Sequence, residues 1–176
     1  LDTRDPEHFI QTVKALEPTF GGINLEDIKA PESFEIEQRL KEEMDIPVMH
    51  DDQHGTAIIT SAALLNALEL VEKKAENIKV VFSGAGASAI SCARLFKSFG
   101  VKPENLLMLD SKGVIRQKRD DLSEEKIEFA REVEITSLEE AMQGADVFVG
   151  LSKGGIVNEA MLQSMSENPV VFALAN

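Results

Sequence analysis

The chain contains one cysteine, Cys92, and no tyrosine. A lone thiol excludes an internal disulfide and a cysteine-based zinc site, which fits a reducing, cytoplasmic setting, and its ordinary reading is a small buried core residue. Without tyrosine, no phenol within these residues is available for proton transfer. Basic residues are in deficit too: 18 Lys and Arg face 31 Asp and Glu, for a net charge of -13. That balance argues against nucleic acid or an anionic membrane as a partner, because phosphate binding leans on a Lys/Arg surplus, so any anionic ligand must be met by local groups. No apolar run reaches spanning length without polar interruption, and the opening LDTRDPEH lacks the basic-then-apolar layout of a signal peptide. What is present is 176 residues at 43% apolar content, enough for a soluble α/β protein with its own core. The chain starts without Met and stops at Asn176 directly after the strand-like PVVFALA, which reads as a portion of something longer.

Short Leu/Ile/Val-rich runs, at 80–82, 106–109, 146–151 and 170–174, alternate with helical patterns at 87–99, 123–131, 137–142 and 158–165. Continuous apolar strands separated by helices indicate a doubly wound parallel sheet covered on both faces. Ser123, Ser137 and Asn158 are candidate N-caps, and Ser137 with Glu140 forms the better capping box. Upstream, the pattern predicts a helix over 8–16, a short strand over 20–25, a helix over 33–44 and a long helix over 53–72. The last is apolar almost all round, which predicts burial between layers. The charged stretch VEKKAENIK at 71–79 reads as a linker, dividing a first part, 1–75, from a second, 76–176.

The strand KVVFS runs into Gly84-Ala85-Gly86-Ala87-Ser88-Ala89 and then a helix, which satisfies G-x-G-x-x-[GA] in its required context. Gly84 permits the tight turn, Gly86 lets backbone N–H groups approach a pyrophosphate, and Ala89 allows the helix to pack closely on the strand. At the end of the next strand stands Asp110, placed to accept from the ribose hydroxyls of NAD. Ser111 and Lys112, with Arg116, Lys118, Arg119 or Lys126 as further cations, equally suit the 2'-phosphate of NADP. An ordinary turn over 110–113 is the plainer alternative.

Two acidic pairs close short strand-like runs: Glu26-Asp27 after FGGINL and Asp51-Asp52 after IPVMH. If those strands are parallel neighbours, Glu26, Asp27 and one of Asp51 or Asp52 converge, giving a hard-oxygen site suited to Mg2+ or Mn2+ rather than zinc. The alternative is that Asp52 merely caps the helix it precedes. His50 and His54 flank the doublet, yet they lie across a strand-to-helix junction rather than on one helical face, so support by hydrogen bonding or packing is the better reading for both. His8 has no partner pattern and reads as a surface residue.

Taken in order, FGGINLEDIKAPESFEIEQRL, IPVMHDDQHGTAII, VVFSGAGASAI, LDSKG and VVFALAN resemble a bacterial-type malic enzyme over essentially the whole chain. The resemblance implies oxidative decarboxylation of L-malate to pyruvate and CO2, with NAD or NADP and a divalent cation, in a homo-oligomer. It implies that Glu26, Asp27 and Asp52 are the metal ligands and that Asp51 supports the network around them. It further implies pyrophosphate contacts from 85–88, ribose contacts from Asp110 and Ser111, and a substrate or nicotinamide contact from Asn176. The family's acid-base pair, a tyrosine and a lysine, is expected upstream of Leu1. Two other readings stand beside this one: a non-catalytic dinucleotide-binding or oligomerisation module, and a metal-free dehydrogenase, which would leave Glu26, Asp27 and Asp52 without a role.

Overall fold

The structure, a computed structural model, describes residues 1–175. Its first part is built on a two-stranded sheet. Helix α1 (Pro6–Leu16) starts where Asp5 accepts a hydrogen bond from the Glu7 N–H and Pro6 takes the first turn, where its missing N–H costs nothing. Strand β1 (Ile23–Leu25), helix α2 (Glu32–Glu43) and strand β2 (Val48–His50) follow, with β1 and β2 parallel and Leu25 opposite His50. Ile10 and Val13 of α1 meet Ile36 and Leu40 of α2 over Leu25 and Val48, which forms a small separate core.

Helix α3 (Asp51–Leu70) begins two residues before its expected start, with His50 at the N-cap and both aspartates in the first turn. There they face the positive end of the helix dipole. Asp52 is therefore not the cap. The expectation that α3 is buried all round is also corrected: Ala57, Leu64 and Leu68 are buried, but Ile58, Ile59 and Leu70 are 58%, 68% and 84% exposed. Apolar composition on every side does not require protein on every side, and α3 meets its main neighbour on one face. The expected linker is fixed in place, because Lys73 Nζ reaches Asp146 and Ser166 Oγ at 2.8 Å each and Ile78 is buried.

The second sheet starts with β3 (Val80–Ser83), which leads into α4 (Ala87–Ser98), then β4 (Leu106–Asp110), a two-residue β5 (Gly113–Val114), α5 (Glu124–Ile127), α6 (Leu138–Met142), β6 (Val147–Gly150), α7 (Glu159–Gln163) and β7 (Val170–Ala173). The order is β5-β4-β3-β6-β7, parallel except where β5 turns back antiparallel on β4. Strand alternation separates the two faces. Val80, Phe82, Leu106, Met108, Val147 and Val149 point to α3 and α4, while Val81, Leu107, Leu109 and Phe148 point to Ala141 and Met142 of α6. The doubly wound Rossmann-type arrangement is thus present.

Residues 123–131 do not form the expected long helix. Only Glu124–Ile127 are helical and the Ser123 side chain makes no cap bond, since Phe129 and Ala130 turn into the core and Arg131 bridges to Arg116. Burial of a phenylalanine outweighs local propensity there. Ser137 and Glu140 do form the reciprocal capping box, and Asn158 caps α7 through the Met161 N–H at 2.9 Å. Among the described residues no helix is long and apolar enough to cross a membrane.

Candidate functional site

The chain order reverses between β3 and β6, and a crevice opens at the carboxyl ends of the strands beside that point, where open α/β sheets take ligands. It holds about 690 Å³ and is lined by Gly84, Ala85, Gly86, Asp110, Ser111 and Lys126 among others. Gly84 has φ +130°, and a Cβ there would press on the Leu151 backbone at 3.2 Å, so the turn itself demands glycine. Gly86 is different. Its φ of -87° suits any residue, and an added Cβ would meet nothing within 4 Å. That space is open to a ligand at the N-terminus of α4. Ser88 does not simply face the crevice, because its hydroxyl donates to the Asp52 carbonyl.

Asp110 sits at the end of β4 with its carboxylate fully engaged. Arg119 grips it at 2.9 Å through both terminal nitrogens, Lys126 Nζ reaches Oδ2 at 3.0 Å, and the Lys112 N–H donates to Oδ1 at 2.9 Å. Burial works to raise this group's pKa, but the Arg119 and Lys126 hydrogen bonds and the Lys112 N–H prevail and hold it at about 2. The Lys112 ammonium is turned away, onto Asp121 at 2.6 Å. Of the candidate cations, Arg119 and Lys126 lie against Asp110; Lys118 pairs with Glu134 instead.

The acidic pairs do end neighbouring parallel strands on one edge. Asp27 takes φ +57°, a left-handed conformation that aspartate tolerates better than most residues, and its N–H donates to Asp52 Oδ2 at 2.9 Å. Glu26 Oε1 instead accepts from Asn24 Nδ2 at 3.0 Å. Asp51 lies in the first turn of α3 with its carboxylate against Gly55, where a Cβ would collide with it. Among the described residues no three acidic, histidine or cysteine side chains are gathered as a ligand set. Carboxylate oxygens are the donors that a hard divalent cation takes, and strand register brings the acidic strand ends together, but the Glu26 side chain is engaged with Asn24. His50 is fully buried and both its ring nitrogens lack partners among the described residues, Nε2 standing 4.0 Å from Asp52 Oδ2. His54 pairs with Glu37, and neither histidine joins a zinc-like set.

A family model described as "Malic enzyme, NAD binding domain" matches residues 53–176, and one described as "Malic enzyme, N-terminal domain" matches residues 2–41. The chain belongs to the malic enzyme family. Over its whole length it is 52% identical to an NADP-dependent malic enzyme of Halomonas elongata, covering 42% of that protein, and 50% identical to an NAD-dependent malic enzyme of Geobacillus stearothermophilus, covering 37%. A crystal structure of an NAD-dependent malic enzyme from Thermotoga maritima superposes with a TM-score of 0.93 at 46% identity, over all of this chain and 48% of the other. The chain thus spans less than half the length of these malic enzymes.

One buried polar side chain that sequence reasoning passed over is Glu37. It sits mid-helix among polar neighbours, which reads as a solvated face, yet its side chain is 8% exposed and holds His54 Nε2 at 2.8 Å. Its spacing to the HDDQH segment carried no signal, because the two meet only through the packing of α2 on β2. Asn176 lies outside the described residues.

Proposed function

We propose that this chain is the metal- and nucleotide-binding part of an enzyme that oxidatively decarboxylates L-malate to pyruvate and CO2, with NAD or NADP and Mg2+ or Mn2+. The observation that carries the reading is Asp52. Its carboxylate accepts from the Asp27 N–H and its carbonyl accepts from Ser88 in the glycine turn, which puts the acidic edge and the nucleotide crevice side by side. In this reading Glu26, Asp27 and Asp52 hold the cation, with Asp51 supporting them, and residues 1–75 and 76–176 divide the two duties. Gly84, Ala85, Gly86, Ala87, Ser88 and Ala89 form the pyrophosphate turn, Asp110, Ser111 and Lys112 lie at the ribose end, and Asn176 contacts substrate or nicotinamide. A nicotinamide held at Gly84–Ala89 and Asp110 would supply a hydride acceptor, and a divalent cation held by Glu26, Asp27 and Asp52 would supply Lewis-acid stabilisation of negative charge on the substrate oxygen.

The chain's own residues orient these partners. The turn would offer N–H groups to a pyrophosphate, and the Asp27–Asp52 contact ties the two acidic strand ends together. The names of the relatives favour this reading over a non-catalytic module. A homo-oligomeric, cytoplasmic enzyme belongs to the same proposal. The test is Mn2+-dependent NAD(P)H formation from L-malate by the full-length protein. No turnover with either cofactor at saturating Mn2+ would refute it.

Because Arg119 and Lys126 already neutralise Asp110, the ribose end meets a 2'-phosphate with cations rather than with bare negative charge. Lys126→Ala is therefore expected to weaken NADP binding about tenfold, the worth of one charge-assisted hydrogen bond, and NAD binding less. Calorimetric titration of both cofactors checks this, and an equal loss for the two removes Lys126 from the phosphate site.

A further inference from the structure

Glu37 projects from α2 into a cleft of about 830 Å³ between α2, α3 and α4. Its Oε1 accepts from the His50 backbone N–H at 3.1 Å, and its carboxylate holds His54 Nε2 at 2.8 and 3.0 Å. Lys41 Nζ, one turn further along α2, meets Oε1 at 2.7 Å. His50 closes β2 and caps α3, whereas His54 stands one turn into α3. One carboxylate from another element therefore grips the chain on both sides of Asp51-Asp52. The imidazole of His50 makes no hydrogen bond among the described residues, its Nε2 standing 4.0 Å from Asp52 Oδ2, so Glu37 provides the hydrogen-bonded tie.

We propose that Glu37 is a positioning residue for the divalent-cation site, setting the β2–α3 junction so that Asp52 faces Asp27. The proposal rests on the assignment of Asp52 as a cation ligand. Glu37 touches neither substrate nor cofactor in this scheme. It acts through the His50 backbone and the His54 ring, as residues that hold a ligand from behind do in other metal sites, where their loss costs about 10- to 100-fold in metal affinity.

The experiment is a Mn2+ titration of the full-length protein, followed by the spectroscopic signal of free Mn2+, with NAD(P) affinity measured in parallel. Glu37→Leu is expected to raise the Mn2+ Kd about 10-fold or more while leaving NAD(P) affinity unchanged. Glu37→Gln, whose amide can accept from His50 and donate to the other His54 tautomer, stays near wild type. An unchanged Mn2+ Kd in Glu37→Leu overturns the proposal. If that variant fails to fold, seen as loss of NAD(P) binding, His54→Phe decides: a raised Kd supports the tie and an unchanged one overturns it. Failure of the underlying assignment looks different, because then Asp52→Asn itself leaves Mn2+ affinity unaltered.

Discussion

Gly86→Val is expected to leave the fold intact and to cut NAD(P) affinity by roughly 10²- to 10⁴-fold. The two halves of that expectation have separate causes. Gly86 occupies the N-cap of α4 at φ -87° and ψ -174°, extended backbone that valine adopts readily, and a Cβ there meets no neighbour within 4 Å. No described neighbour crowds a Cβ at this position, and the stiffer unfolded chain offsets the loss of a favoured N-cap residue, so stability changes little. A ligand does ask for glycine here. A pyrophosphate drawn against the first turn of α4 takes charge-assisted hydrogen bonds from backbone N–H groups, worth about 1.5–3 kcal/mol each, and a valine side chain in that space removes two of them or more. The check is a pair of measurements: a urea midpoint that does not move and a cofactor Kd that does. Wild-type affinity in the variant would place the pyrophosphate elsewhere.

Gly86 also marks how far sequence reading reaches. The turn was legible because it is a local pattern of strand, glycines and helix; the positive φ at Gly84 demands glycine, whereas the backbone at Gly86 does not. The strands β3, β4 and β6 were legible for a similar reason: strands buried on both faces are written as continuous apolar runs, and β7, an edge strand with only Val170 buried, carries the same apolar run. The same holds for Ser137 and Glu140, three residues apart. What escaped was non-local. Residues 123–131 carry helical character, but Phe129 is fully buried in the sheet's core, and that burial ends the helix early. Strand β5 is two residues long and exists because β4 offers it an edge. Glu37 is one glutamate among several on α2, distinguished only by what β2 and α3 place against it. The acidic edge falls between these cases. Parallel pairing of two short strands sets the strand ends that carry the two acidic pairs side by side, whereas the side-chain directions of Glu26 and Asp51 had no signature in spacing.

Asp52→Asn is expected to lower kcat by about 10²- to 10³-fold and to weaken Mn2+ binding in the full-length protein, with the fold preserved. Preservation follows from the one contact that the Asp52 carboxylate makes to the neighbouring strand end. The Asp27 N–H donates to Oδ2 at 2.9 Å, and the amide oxygen of asparagine accepts in the same position. The backbone carbonyl that receives Ser88 is untouched. What the substitution removes is charge. In the proposed site three carboxylates would hold a hard divalent cation by charge and oxygen count together, so a neutral amide would be a poorer ligand for it. The expected loss in kcat has the size that follows deletion of one electrostatic stabiliser of a developing oxyanion, the role that a cation held by Asp52 would fill. Asp51→Asn provides the contrast. Its carboxylate lies against Gly55 on the helix side of the turn, not against Asp27, so its neutralisation is expected to cost less than that of Asp52 in both measurements. Equal losses for the two variants would mean that the doublet acts as a pair of equals. Unchanged Mn2+ affinity in Asp52→Asn would take the residue out of the ligand set and leave its contact with Asp27 as a strand-end tie that any acceptor could make.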